Sequence, residues 1–182
     1  TELSINVPAF TVVSLSAIAA GSGGFAINDL NGMTVSGAGD VNGDGLEDVI
    51  VGSPYAALGG LGSVGRSYVV FGKTSNMAID LSTVAAGVGG FVINGQCQLD
   101  GSGGAVSGAG DVNGDGLADL VVGSTSFNGL QGRSYVVFGK STGTAVDLSA
   151  VAGGTGGFMM TGASFDNLGS SVSGAGDVNG DG

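Results

Sequence analysis

The string Gly-Ala-Gly-Asp-Val-Asn-Gly-Asp-Gly occurs three times, with its first aspartate at Asp40, Asp111 and Asp177. The copies are 71 residues (40 to 111) and 66 residues (111 to 177) apart, and the flanking sequence repeats with them. Such a period implies stacked supersecondary units, none able to bury its apolar face alone. Each unit opens Leu-Ser-x-x-Ala-x-Gly at Leu15, Leu81 and Leu148, then continues Gly-Gly-Phe at Gly23, Gly89 and Gly156. Two units end Gly-Arg-Ser-Tyr-Val-Val-Phe-Gly-Lys, from Gly65 and Gly132. The chain therefore divides into an N-terminal segment 1–14, units at 15–80 and 81–147, and the start of a third at 148–182.

Within a unit, short runs rich in Val, Ile, Phe and Tyr alternate with Gly, Asn, Asp and Ser, which predicts strands and turns rather than helices. In the second unit the runs are Phe91 to Asn94, Ala105 to Ala109, Asp119 to Gly123 and Ser134 to Phe138, with counterparts in the first. The run before each Asp loop, Val-Ser-Gly-Ala-Gly, carries only small side chains after its valine and suits a crowded hub. The Asp-Leu-Ser steps at Asp80 and Asp147 suit the caps of short helical turns, the carboxylate accepting a backbone hydrogen bond. Four strands in a repeat of this length describe a β-propeller blade, so the fold class is all-β, with blades of four antiparallel strands in an incomplete array of about two and a half blades. Such an array does not close a ring alone; open edges favour other copies of the repeat, or other protein chains, as partners in a ring or filament.

Forty glycines fall at turns and in one recurring strand, which separates the chain from collagen and from flexible linkers. Hydrophobic content of 42% with 10% charge argues against disorder. No apolar run reaches the roughly 20 residues of a membrane helix, and the opening Thr-Glu-Leu-Ser lacks the basic and apolar segments of a secretory leader. The absence of histidine removes Ser-His-Asp triads and imidazole bases, and the lone Cys97, read as a small filler, forms no intrachain disulfide. Four basic residues, Arg66, Lys73, Arg133 and Lys140, are too few for a nucleic-acid footprint.

Net charge is −11, and of the 15 acids eight are aspartates of the three loops: Asp40, Asp44, Asp48, Asp111, Asp115, Asp119, Asp177 and Asp181. Like charges packed so closely call for a cation among them. In Asp40-Val41-Asn42-Gly43-Asp44-Gly45-Leu46-Glu47-Asp48, oxygen-bearing side chains stand at positions 1, 3, 5 and 9. Asp40, Asn42 and Asp44 with one oxygen each, the Leu46 carbonyl, and Asp48 with two make about six hard donors, the lower end of calcium coordination. Asp111, Asn113, Asp115, the Leu117 carbonyl and Asp119 repeat the set, and Asp177, Asn179 and Asp181 begin a third that should bind weakly without a closing acid. An EF-hand closes with an acid at position 12 and continues into a helix, whereas here position 9 closes and a Val-rich strand follows. Magnesium, which prefers to keep water in a stricter octahedron, fits less well. Glu47 is replaced by Ala118 in the second unit, so it is read as exposed rather than a ligand.

The pattern Gly-x-x-Val-Ser-Gly-Ala-Gly-Asp-Val-Asn-Gly-Asp-Gly-Leu-x-Asp-Leu-Val-Val-Gly-Ser, followed by Gly-Arg-Ser-Tyr-Val-Val-Phe-Gly, resembles the FG-GAP repeat of integrin α propellers and bacterial surface proteins. The Gly-Ala-Pro element reads Gly52-Ser53-Pro54 in one unit and Gly123-Ser124-Thr125 in the next. The resemblance implies a non-catalytic, calcium-stabilised propeller segment of a secreted or cell-surface protein, extracellular, with an adhesive or surface-assembly role. The alternatives are a lectin-like module binding carbohydrate, for which Tyr55 is the one tyrosine in a candidate loop, and an appendage to an enzyme lying outside this chain.

Overall fold

The β-branched and aromatic runs form strands wherever glycine punctuates them. The computed structural model describes residues 14–28, 34–125 and 131–176. In chain order the elements are α1 (Leu15–Ala19), β1 (Ile27–Asn28), β2 (Thr34–Gly39), β3 (Asp48–Ser53), β4 (Arg66–Val70), β5 (Ile79–Asp80), α2 (Leu81–Ala85), β6 (Gly90–Asn94), β7 (Ala105–Gly110), β8 (Asp119–Ser124), β9 (Arg133–Val137), β10 (Val146–Asp147), α3 (Leu148–Ala152) and β11 (Gly157–Thr161). Two blades result, β2-β3-β4-β6 and β7-β8-β9-β11, each antiparallel throughout. Two-residue parallel pairs, β1 with β5 and β10 with β6, each join the early part of one sequence unit to its end.

A unit of sequence and a blade of structure are out of phase by one strand. β6 opens the second sequence unit yet pairs with β4 of the first, Phe91 opposite Val69, and β11 likewise completes the sheet of the second unit. The grouping of Phe91 to Asn94 with the three strands that follow it is corrected accordingly. After β4 the chain turns through α2 and returns along β4, entering at Gly90, where a Cβ would lie 1.9 Å from the Val69 carbonyl oxygen. Only glycine permits that approach.

The short helices bury Leu81 and Val84, or Leu148 and Val151, against their blades. Asp80 and Asp147 occupy the N-cap positions but make no side-chain cap bond, contrary to expectation. Their carboxylates instead accept from Asn28 Nδ2 and Asn94 Nδ2, both at 2.9 Å, across the parallel pairs. A cross-strand amide facing the carboxylate supplies a partner that the local turn would otherwise provide.

The main core lies between the blades. Ile50, Val69, Phe91 and Ile93 of the first blade meet Leu120, Val122, Tyr135 and Val137 of the second in one cluster, all fully buried. Each such side chain contributes roughly 1.5–3 kcal/mol when removed from water, so blade-on-blade packing dominates the stability. A second cluster, Val51, Val70, Leu81 and Val84 with Phe25 and Ile27, covers the other face of the first blade. Lys140 reaches back over the Phe91 ring, 4.5 Å from its centroid, as Lys73 does over Phe25. At the inner edge β2 runs beside β7, and a Cβ on Gly108 would meet the Gly37 and Ala38 carbonyl oxygens at 3.1 Å. The small residues of the Val-Ser-Gly-Ala-Gly run are required by this close approach.

Candidate functional site

The two Asp loops among the described residues each leave their inner strand through a bulge. The pairing register of β2 with β3 shifts between Gly37 and Gly39, and that of β7 with β8 between Gly108 and Gly110. Gly39 and Gly110 take the left-handed φ of +76°, which turns the chain out of the sheet and into the loop. Within the loops Gly43, Gly45, Gly114 and Gly116 are also left-handed, as a tight turn with inward oxygens demands.

The first loop winds its backbone amides around its carboxylates. Asp40 Oδ1 accepts from Gly43 N at 2.7 Å and Asp44 N at 3.1 Å, and Oδ2 from Gly45 N at 2.8 Å. Asn42 Oδ1 accepts from Asp44 N at 2.9 Å, and Asp44 Oδ1 from Leu46 N at 2.9 Å. Asn42 Nδ2 donates to Asp44 Oδ2 at 2.9 Å. Asp111, Asn113 and Asp115 repeat this set bond for bond, every distance within 0.1 Å of its counterpart.

The closing acids behave differently. Asp48 is 1% exposed and Asp119 fully buried, whereas Asp44 and Asp115 face solvent. Asp48 Oδ2 accepts from Val41 N at 2.9 Å and Oδ1 from Gly72 N at 2.7 Å, tying the start of its loop to the chain just beyond β4. Asp119 makes the same bridge from Val112 N to Gly139 N, both at 2.8 Å. Burial pushes both carboxyls above the usual range, and the amides pull the other way. Neighbouring acids add to the upward push, Asp44 and Asp40 on Asp48 and Asp115 on Asp119. Gly72 and Gly139, the glycines of the repeated Phe-Gly ending, are dictated by the bridge. A Cβ on Gly72 would stand 2.6 Å from the Glu47 carbonyl oxygen, and one on Gly139 2.6 Å from that of Ala118.

Sequence reasoning identified the acids but not these amide partners. The tolerance for clustered acids comes in part from N–H dipoles aimed at every carboxylate, a role the sequence pattern had assigned to a cation alone. As placed, the carboxylates of one loop turn to separate amides, and among the described residues no three acidic or cysteine side chains converge as a ready metal cluster. The donor chemistry nevertheless suits a hard cation: three carboxylates, one amide oxygen and one backbone carbonyl per loop, with no nitrogen or sulfur ligand. Each carboxylate oxygen that accepts one N–H keeps a second lone-pair direction, and rotating the Asn42 amide exchanges its donor for an acceptor. Leu46 and Leu117 are half-buried at the loop exits, and Glu47 is exposed. Asp177, Asn179 and Asp181 lie outside the described residues.

A second polar constellation went unforeseen. Arg133 Nη1 donates to Gln96 Oε1 at 2.7 Å, and the buried Tyr135 hydroxyl donates to the same oxygen at 2.9 Å. Arg133 lowers the pKa of the nearby Asp100, which is buried and held above its ordinary value by that burial. The Asp100 carboxylate also accepts from Cys97 N at 3.0 Å, closing a turn that Asp166 and Ala163 repeat at 2.7 Å. Alanine in the equivalent place agrees with half-buried Cys97 as a small filler. Tyr55 is exposed and, with Pro54, Ser63, Leu99 and Gly101, lines a shallow recess on the opposite end of the blade from the Asp loop.

Residues 31–70 and 102–137 match the FG-GAP repeat family. Each match takes in the first three strands of a blade with the Asp loop between its first two. Among curated proteins, the phosphatidylinositol-glycan-specific phospholipase D of Rattus norvegicus is 34% identical over 117 residues, which is 60% of this chain and 13% of the rat protein. The phospholipase of the same name from Mus musculus is 34% identical over 110 residues, 57% of this chain and 12% of the mouse protein. This chain thus spans only a small part of the length of the curated relatives it matches. The repeated loops, the Phe-Gly endings and the blade geometry agree with these matches: the chain is a β-propeller segment built from FG-GAP repeats.

Proposed function

We propose that the chain is a non-catalytic, calcium-stabilised propeller segment of an extracellular or cell-surface protein, serving adhesion or surface assembly. The observation that carries it is the duplicate loop, in which the same five donors stand on a backbone fixed twice by the same hydrogen bonds. Asp40, Asn42, Asp44, the Leu46 carbonyl and Asp48 would hold one ion, and Asp111, Asn113, Asp115, the Leu117 carbonyl and Asp119 a second; Asp177, Asn179 and Asp181 would contribute to a third. Bound calcium would supply positive charge beside the closing acid Asp48, whose carboxyl is pushed up by burial and further by Asp44 and Asp40. The buried closing acid of each loop couples that charge to the end of β4 or β9, so occupancy would stiffen the blade.

An extracellular setting is supported by the FG-GAP match, since such repeats are typical of extracellular proteins. No helix among the described residues is long and apolar enough to cross a membrane. A non-catalytic role is supported by a sequence without histidine and by a match to the phospholipases confined to 13% of the rat protein's length. The test is calorimetric titration of calcium into chelator-stripped protein, with thermal unfolding followed at each step. At a hundred times Kd one site should add about 2.7 kcal/mol of stability. Absence of binding heat, with an unmoved Tm, would overturn the proposal.

A further inference from the structure

We infer that the two Asp loops are energetically coupled, so that calcium bound in one raises the affinity of the other. The inference rests on the calcium assignment above, and its geometric basis is the contact between the loops. Ala118 N donates to the Asp40 carbonyl at 2.9 Å. That N–H belongs to the same peptide group as the Leu117 carbonyl, the backbone donor of the second loop, while Asp40 is the first ligand of the first loop. One peptide unit therefore links the two loops: its oxygen is the backbone donor assigned to the second, and its hydrogen is bonded to the Asp40 carbonyl of the first.

Two further contacts hold the loops in register. The Leu117 side chain rests on Gly43, where an added Cβ would come within 2.9 Å of Leu117 Cδ2. Gly139, whose N–H holds the closing acid of the second loop at 2.8 Å, lies against the Val41 carbonyl, 2.9 Å from where its own Cβ would be. Val41 in turn gives its N–H to Asp48, the closing acid of the first loop. Contacts thus join the first and closing ligands of one loop to the backbone and closing ligands of the other.

Coordination by the Leu117 carbonyl fixes its peptide plane and polarises the N–H on the far side, strengthening the bond to Asp40. Ordering the second loop also removes motion from the surface on which Gly43 and Val41 rest, so the first loop loses less entropy when it closes on an ion. Linkage makes the effect reciprocal.

The test uses the full chain carrying Asp177→Asn, which removes the first ligand of the third loop. Calcium alone is titrated calorimetrically into this protein and into versions with Asp115→Asn or Asp44→Asn. Each change is isosteric and keeps an oxygen to accept the Leu117 or Leu46 amide. Silencing either loop should weaken the surviving site about fivefold or more relative to its affinity beside a filled neighbour, the low end of measured couplings, and by the same factor in both directions. Leu117→Ala, which retains the coordinating carbonyl, should leave two sites but reduce the coupling. Amide exchange at Ala118 should slow when calcium fills the first loop of the Asp115→Asn protein. Two sites whose affinities ignore the neighbour overturn the coupling and leave the calcium assignment standing. No calcium binding in any version overturns the assignment and the coupling with it.

Discussion

Replacing Asp48 by alanine should destabilise the protein even where calcium is absent, because the carboxylate satisfies two backbone donors, one from the Asp loop and one from the chain just beyond β4, at the same end of the blade. Val41 N, on a fully buried residue, and Gly72 N donate to it at 2.9 and 2.7 Å. A buried donor left without an acceptor costs about 1–3 kcal/mol, so two such losses amount to about 2–6 kcal/mol. Alanine also removes a charge that burial disfavours, as the raised pKa of Asp48 shows, which brings the expected loss to about 2–4 kcal/mol. Urea unfolding in excess chelator reads this directly. With a slope of about 2 kcal/mol per molar, the midpoint should fall by roughly 1–2 M. Asp44→Ala provides the contrast, since that side chain faces solvent and water can replace it as acceptor; its loss should stay below about 1 kcal/mol. If Asp48→Ala in chelator falls no further than Asp44→Ala, the closing acid has no role as a structural bridge.

Two further outcomes follow from the same packing. Gly139→Ala should cost about 1–3 kcal/mol by overpacking, measured by thermal unfolding, because its Cβ would press on the Ala118 and Val41 carbonyl oxygens and on Leu117 Cβ at 2.6–2.9 Å. Asp100 supplies a pH signature. Burial raises its folded pKa above the 3.8 of the free side chain, so between these values the folded chain holds more protons than the unfolded one. Its contribution to stability therefore falls as pH rises through that window, the reverse of a salt-bridged aspartate. Asp100→Asn keeps an acceptor for Cys97 N and should flatten this part of the Tm-against-pH curve in chelator; an unchanged slope would refute the assignment.

Much of the architecture was legible because local chemistry repeats. Phe91 to Asn94 emerged as Gly90–Asn94, and Asp119 to Gly123 as Asp119–Ser124, since β-branched runs bounded by glycine leave few alternatives. Which strand joins which sheet was not legible, since the pairing of β6 with β4 depends on the path through α2 rather than on either strand's composition. The loop acids stood out by spacing alone. Their burial did not: nothing in the order Asp-Val-Asn-Gly-Asp-Gly-Leu-Glu-Asp distinguishes Asp44, facing solvent, from Asp48, sealed beneath the loop. The nearest hint was the recurring Phe-Gly after β4 and β9, whose glycine amide proves to be the far end of the bridge. The Asn28 to Asp80 and Asn94 to Asp147 pairs were hidden for the same reason as β6, joining residues more than fifty positions apart.

The one-strand offset between sequence unit and blade also sets an order of events during synthesis. When Val70 has left the ribosome, three strands of the first blade exist, yet the outer side of β4 remains bare until Gly90–Asn94 follows. By then the ribosome is already translating the next unit. No blade can be finished from its own repeat, and a pause at a repeat boundary would leave an exposed edge awaiting a partner. The natural place to divide such an array, for expression or for grafting, is therefore the segment 95–104 between β6 and β7, and not the point where the sequence begins to repeat.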